Sequence, residues 1–206
     1  MSRRPWIHLN FAVCEDGRMS AGGAALPISC QCDWQRVHAL RESYDAVAVG
    51  AGTWINDRPR LNVRPESLGR EPRRQPARVI FAGTRDCCLP PDVRRTFVVG
   101  DRTPDSDENA VFIHCPGHGL AAALESLGRH GVSSLLVEGG PTLLSSFVAQ
   151  GFFDRITVFV RTDSDAAAAQ AAGVALPGLP ALQADRLGEG VLLGYGKKEI
   201  LARRFE

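Results

Sequence analysis

The chain has 206 residues, 44% hydrophobic, 23% charged and 7% aromatic, which is the make-up of an ordinary globular protein and excludes collagen-like, disordered and coiled-coil classes. Its 24 basic and 23 acidic side chains leave a net charge of +1, so no whole-protein field gathers nucleic acid or anionic lipid. Any anionic ligand has to be held locally, and no stretch approaches the roughly 20 apolar residues of a membrane-spanning helix.

Trp6 to Val13 places Ile7, Leu9, Phe11 and Val13 on one side of a period-2 pattern, predicting a strand with one face on a core. Glu15-Asp16-Gly17 turns the chain. From Cys32 the apolar spacing becomes helical through Trp34, Val37 and Leu40, with Ser29 or Asp33 as the cap and an end near Ser43. Asp45-Ala-Val-Ala-Val49, bounded by Gly50 and Gly52, reads as a strand buried on both faces, as in parallel sheets. The arginine- and proline-rich stretch 65–76 reads as a surface loop. Strands are predicted at Arg78–Phe81, Thr96–Val99, Val111–Ile113, Leu135–Val137 and Ile156–Val160, and helices at Gly119–His130 and Thr142–Gln150, the latter stopped by Gly151. Between them lies an acidic stretch, 101–109. Asp165–Ala172 is helix-prone, Pro177-Gly-Leu-Pro180 breaks it, and Val191–Leu193 and Glu199–Ala202 are candidate terminal strands. This strand–helix–strand rhythm predicts an α/β fold, with a largely parallel sheet flanked by helices, in one domain over 1–206.

Ser2-Arg3-Arg4 resembles a signal-peptide start, but the stretch after it is interrupted by His8, Asn10 and Glu15-Asp16, so the expected location is cytoplasmic. Cysteines 14, 30, 32, 87, 88 and 115 are then expected to be reduced thiols.

Two buried strands run straight into glycine pairs, Val47–Val49 into Gly50-Ala-Gly52-Thr53 and Leu135–Val137 into Glu138-Gly139-Gly140-Pro141-Thr142. Ligands of open α/β sheets bind at the carboxyl ends of strands, where helix amino termini present free N–H groups. Glycine lets the backbone approach a pyrophosphate, Pro141 suits a first helical position, and Thr142 adds a hydroxyl. Two such turns point to one phosphate-rich cofactor, although neither is a full dinucleotide fingerprint and tight turns without a ligand are the alternative. Gly196-Lys197 fails as a phosphate loop, because positions 191 and 198 are Val and Lys. His114-Cys115-Pro116-Gly117-His118 has metal-ligand residue types, but Pro116-Gly117 breaks the register, so a loop and no metal are expected. Serine-hydrolase and zinc-deaminase signatures are absent from the sequence.

All but two of the 24 basic side chains are arginine. Arg41, near the end of the first helix, and Arg60 and Arg64, after the first glycine turn, could form an anion pocket, because a guanidinium grips phosphate with a bidentate fork. Asp57 lies between, either in a local turn with Arg58-Pro59 or as a carboxylate on ribose hydroxyls or substrate.

Together, Ser29 to Arg41, Asp45 to Thr53, Asn56-Asp-Arg-Pro-Arg-Leu-Asn-Val-Arg64 and Leu136-Val-Glu-Gly-Gly-Pro-Thr-Leu143 resemble the riboflavin-biosynthesis pyrimidine reductases, and Pro5 to Ser20 with Asp16-Gly17-Arg18 fits that family's opening strand and turn. The likeness covers about residues 5–160. It implies a dihydrofolate-reductase-like fold, usually dimeric, that reduces a phosphorylated ribosylaminopyrimidine with NADPH, either as the 2,5-diamino-pyrimidinone or as the 5-aminouracil; Asn10 hints at the former. By the same resemblance, Thr53, Asp57, Gly83, Thr84 and the turn Gly139, Gly140, Pro141, Thr142, Leu143 through Ser145 contact NADPH, with Arg85 beside Thr84 for the 2′-phosphate. Ser29, Arg41, Leu61, Arg64 and Glu138 contact the substrate, and Glu138 or Asp57 relays the proton. The expected partners are thus a small phosphorylated pyrimidine and a second copy of the chain, with no nucleic acid, membrane or metal. Three departures stand out: Arg58 replaces a second acid, Ala82 stands where Asp often ends the strand, and 161–206 diverges. The last keeps a related reductase of a pterin or other heterocycle, or a non-catalytic nucleotide-binding relative, as alternatives.

Overall fold

The computed structural model describes residues 4–21, 24–25, 28–89, 94–102 and 110–196. The predicted strand at Glu199–Ala202 and most of the acidic stretch 101–109 lie outside the described residues. In chain order the elements are β1 (Trp6–Val13), β2 (Ser20–Ala21), β3 (Ala24–Ala25), α1 (Gln31–Ser43), β4 (Ala46–Gly50), α2 (Ala51–Asp57), α3 (Pro65–Leu68), β5 (Ala77–Gly83), β6 (Thr96–Gly100) and β7 (Ala110–His114). Then come α4 (Leu120–Arg129), β8 (Ser134–Gly139), α5 (Pro141–Ala149), β9 (Arg155–Val160), α6 (Asp165–Ala175), β10 (Gln183–Leu187) and β11 (Gly190–Gly196).

Nine strands form one sheet in the order β10-β11-β9-β1-β8-β4-β5-β6-β7, and β2 and β3 form a small separate ladder. Every pairing from β9 to β7 is parallel, whereas β11 runs antiparallel to β9 and β10 antiparallel to β11. The α/β class and the mainly parallel sheet agree with the sequence reading. One face carries α4, α5 and α6 over Ile7, Leu9, Val79, Leu135, Val137 and Val158. The other carries α1 and α2 over Val47, Val49, Ile80 and Leu136.

β1 departs from the one-faced expectation. It lies between β8 and β9 with helices on both sides, so His8 and Asn10 are buried along with the apolar set. Buried polar groups need partners, and these have them: Tyr44 Oη and Thr157 Oγ1 lie 2.7 and 2.9 Å from the two His8 ring nitrogens. Helix α1 takes Cys30 as its N-cap, not Ser29 or Asp33. Asp33 is instead buried inside the first turn, where Arg36 donates to it at 2.6 and 2.9 Å. Asp45 stands outside β4 and accepts the Ser133 and Ser134 backbone N–H groups at 3.0 Å. The seven-residue helix α2, the polar strand β10 and the short β2–β3 ladder were not anticipated. The 65–76 stretch opens with the single turn α3, whose Leu68 is buried. The last helix runs on to Ala175 from a Ser164 cap that accepts the Ala167 N–H at 3.2 Å.

Candidate active site

β4 and β8 are neighbours, with Val49 registered on Gly139, so the two glycine turns leave the sheet side by side. Gly50 is the N-cap of α2 and Gly140 that of α5. The orphan N–H groups of two helix starts therefore flank one opening. Thr53, in the first turn of α2, faces the second glycine pair: a Cβ at Gly139 would stand 3.5 Å from Thr53 Oγ1, and one at Gly140 only 3.1 Å. Gly140 also has φ of 85°, a conformation other residues adopt under strain. A side chain here would fill the space between Thr53 and α5, which is the fit a closely approaching pyrophosphate requires. Pro141 occupies the first position of α5, with Pro141 and Thr142 exposed and Leu143 buried against the glycine turn of β4. Asp57 comes one helical turn after Thr53, on the same side of α2, and is exposed.

On the neighbouring strand, Gly83 ends β5 with φ of 60° at a register shift against β6. The exposed Thr84 and Arg85 come next, and Arg85 Nη1 lies 3.9 Å from the place a Gly52 Cβ would take. The structure thus sets Thr53 so close to Gly139 and Gly140 that a Cβ on either would come within 3.1–3.5 Å of its hydroxyl, and it places Arg85 against the same helix start.

The α1 face holds the second half of the site. Glu138, near the end of β8, receives both Arg41 Nε at 2.8 Å and Arg41 Nη2 at 2.7 Å, a bidentate pair with side chains only 9% and 10% exposed. Arg41 Nη1 also donates to the Asn62 carbonyl at 3.0 Å, which ties the pair to the segment after α2. Burial works against the charge on Arg41, but the Glu138 carboxylate outweighs it and holds the guanidinium above its usual value. Asn10 stands on the same face of the adjacent strand, one residue beyond the Leu9–Val137 register. Its Oδ1 accepts from Arg36 Nη1 and from Thr157 Oγ1, both at 2.8 Å.

The segment between Asp57 and Arg64 is conformationally costly. Arg58 and the buried Leu61 have φ of 43° and 52°, left-handed values for side chains that avoid them. Gln75 pins the segment through two 2.8 Å hydrogen bonds with the Val63 backbone. Arg64 then meets His38 on α1, its backbone N 3.1 Å from Nδ1 and its Nε 3.3 Å from Nε2. Its guanidinium lies 5.8 Å from the centre of the Trp34 ring. Of the three candidate anion-pocket arginines, Arg60 stays exposed, Arg41 is engaged by Glu138 and the Asn62 carbonyl, and Arg64 is held against α1. Ser29 is half-buried two residues ahead of α1. The sequence reading missed His38, Arg36 and Thr157, and took Asp33 for a helix cap, not for the partner of Arg36. For His38 the signal was there, since Trp34, His38 and Arg41 fall on one stripe of α1.

Comparison with known proteins gives a consistent result. The family model described as RibD C-terminal domain matches residues 5–161. The chain is 36% identical over 179 residues to the 2,5-diamino-6-ribosylamino-4(3H)-pyrimidinone 5′-phosphate reductase of Archaeoglobus fulgidus, covering 76% of this chain and 80% of that protein. It is 32% identical over 168 residues to the riboflavin biosynthesis protein RibD of Aquifex aeolicus, of which it spans 46%. Among solved structures, the deaminase/reductase of Thermotoga maritima superposes with a TM-score of 0.74 at 23% identity, over 93% of this chain and 56% of that one. The riboflavin biosynthesis reductase Rib7 of Saccharomyces cerevisiae gives 0.67 at 16% identity, over 95% of this chain and 91% of the other. These likenesses give the fold as that of the dihydrofolate-reductase-like RibD and Rib7 reductases.

Proposed function

The chain belongs to the RibD C-terminal domain family, and from that premise we propose that it reduces 2,5-diamino-6-ribosylamino-4(3H)-pyrimidinone 5′-phosphate to its ribitylamino counterpart with NADPH, a step of riboflavin biosynthesis. The diamino form is the substrate in the name of the Archaeoglobus relative, which the chain matches over 80% of its length. The observation that carries the reading is the juxtaposition of a glycine cradle closed by Thr53 with a buried Arg41–Glu138 pair on the same strand end.

When bound, the nicotinamide cofactor supplies a hydride. Thr53, Gly139, Gly140 and the first turn of α5 hold its pyrophosphate, Asp57 reaches its ribose hydroxyls, and Gly83, Thr84 and Arg85 take the adenosine end, with Arg85 against the 2′-phosphate. On the other side Arg64, with Ser29, meets the substrate phosphate, and Leu61, forced into its left-handed turn, packs beside the sugar. In the reaction the ribosylamine opens to an imine, C1′ accepts the hydride, and the nitrogen takes up a proton. Glu138 is the carboxylate at that nitrogen. Its two oxygens receive two Arg41 N–H groups at 2.8 and 2.7 Å, which fixes the carboxylate beside that nitrogen, where it would relay from solvent the proton that the nitrogen takes up. Most of the rate comes from holding donor and acceptor in register, which supplies roughly 7–11 kcal/mol when two reactants are pre-oriented. We also propose a cytoplasmic homodimer; the six free thiols suit a reducing compartment, and among the described residues no helix is long and apolar enough to cross a membrane.

The test is turnover. Purified protein with NADPH and the diamino-pyrimidinone ribosyl phosphate should lose NADPH absorbance and yield the ribitylamino product, and the 5-aminouracil analogue should be the poorer substrate. Absence of turnover with both refutes the proposal.

A further inference from the structure

From the contacts between α1 and the strained segment we infer that His38 is a positioning residue, which fixes Arg64 so that its guanidinium meets the substrate anion already aimed. The inference rests on the proposed contact of Arg64 with the substrate phosphate. His38 is fully buried, and both ring nitrogens face donors of the same residue, the Arg64 backbone N at 3.1 Å and Nε at 3.3 Å. A neutral imidazole has one acceptor nitrogen. The ring therefore accepts from one Arg64 donor at a time, and the tautomer with Nε2 as acceptor is the one that holds the guanidinium.

Three further features support a steering role. Trp34 lies one turn before His38, their ring centroids 6.2 Å apart, and supplies the face on which the Arg64 guanidinium rests. That contact accounts for a tryptophan left 42% exposed at the rim of the site. Arg41, one turn after His38, grips Asn62 two residues before Arg64, so α1 holds the segment at two points. The left-handed Leu61 lies immediately before these anchors, and a strained backbone persists only where its surroundings over-determine it. Facing charges keep the ring neutral: burial, then Arg41 on its own helix and Arg64 across from it, push its pKa down to about 4, against a smaller opposing effect of Glu66 on α3.

The experiment is a double-mutant cycle read in steady-state kinetics, with NADPH and the diamino-pyrimidinone ribosyl phosphate, on Arg64→Ala, His38→Leu, His38→Gln and the combined His38→Leu/Arg64→Ala protein. His38→Leu should raise the substrate KM about tenfold, the loss of one hydrogen bond to a charged group, with kcat and the NADPH KM changed less than about twofold. His38→Gln, which keeps an acceptor, should recover most of that KM. In the Arg64→Ala background His38→Leu should add no further rise, because its effect runs through Arg64. A parental KM in His38→Leu, an equal rise with and without Arg64, or a His38→Gln protein as impaired as His38→Leu overturns the inference. If Arg64→Ala itself leaves the substrate KM unmoved, the assignment of Arg64 has failed instead. Thermal melting of each variant separates lost positioning from lost fold.

Discussion

Replacing Glu138 by Gln tests the pair at the centre of the site. The parent carboxylate makes two charge-assisted hydrogen bonds to Arg41 with both side chains about nine-tenths covered. Gln keeps one carbonyl oxygen for one of these N–H groups, turns an amide NH2 against the other, and leaves the Arg41 charge buried with the Asn62 carbonyl as its remaining fixed acceptor. Breaking one partner of a buried pair costs about 3–5 kcal/mol; with one hydrogen bond retained, the lower end, about 3 kcal/mol, is expected. For a chain of this size each kcal/mol shifts the melting temperature by about 2–4 °C, so Glu138→Gln should melt roughly 6–12 °C below the parent. Reversible urea unfolding with an unchanged m-value gives the same quantity independently. Turnover should fall about 10²–10⁴-fold, the range for loss of a group that holds a proton in the transition state. The apolar double replacement Arg41→Met/Glu138→Leu should regain most of the stability and none of the activity. A Glu138→Gln protein with the parent's stability and rate would refute both the buried-pair argument and the proton role.

Gly140→Ala should cost about 1–3 kcal/mol of stability from its unfavourable φ and, with its methyl 3.1 Å from Thr53 Oγ1, weaken NADPH binding far more than it weakens the fold; cofactor fluorescence titration beside urea unfolding separates the two. Arg85→Ala should reduce the ratio of kcat/KM for NADPH over NADH by about tenfold or more, the worth of one charged hydrogen bond; an unchanged ratio places the 2′-phosphate elsewhere. Acid should weaken the fold. His38 is pushed down to about 4, and His8 is held well below the usual 6.5 by burial and then by Arg155 and Arg36. The unfolded chain therefore binds more protons than the folded one below about pH 6.5, and stability should fall as pH drops from there towards 4. Glu42, which Arg70 and the Arg73 backbone draw down to about 2, adds its own loss only at lower pH. A urea midpoint flat between neutral pH and about 4.5 would mean that these imidazoles are not held neutral.

Much of the site was legible because its parts are local in sequence. The strand-then-glycine pattern at Val49–Gly50 and Val137–Gly139 marks two carboxyl ends, and the parallel sheet then makes those ends adjacent. The one-faced reading of β1 failed because alternation describes side-chain polarity, and His8 and Asn10 are polar groups buried with partners contributed by Tyr44 and Thr157, which pattern alone cannot supply. Helix α2 escaped notice because seven residues containing Gly52 and two β-branched side chains, Thr53 and Ile55, carry little helical signal. β10 was missed since Gln183-Ala-Asp-Arg-Leu187 is a polar edge strand, although Gly188-Glu189 leading into Val191-Leu-Leu193 is a hairpin signal that could have revealed it. The α1 stripe of Trp34, His38 and Arg41 marks a shared face, but the pairing of His38 with Arg64 is tertiary and not written in that stripe.

The order of strands also dictates how this molecule must assemble. β1 hydrogen-bonds to β8 and β9, with Trp6 opposite Ser134 and Val13 opposite Val160, so the middle of the sheet cannot close until segments far downstream have left the ribosome. Until then the Trp6–Val13 ladder groups lack their partners, a slow, high-contact-order route on which exposed edges invite aggregation. Nascent chains halted before β8 should therefore depend on chaperone protection that the finished protein no longer needs.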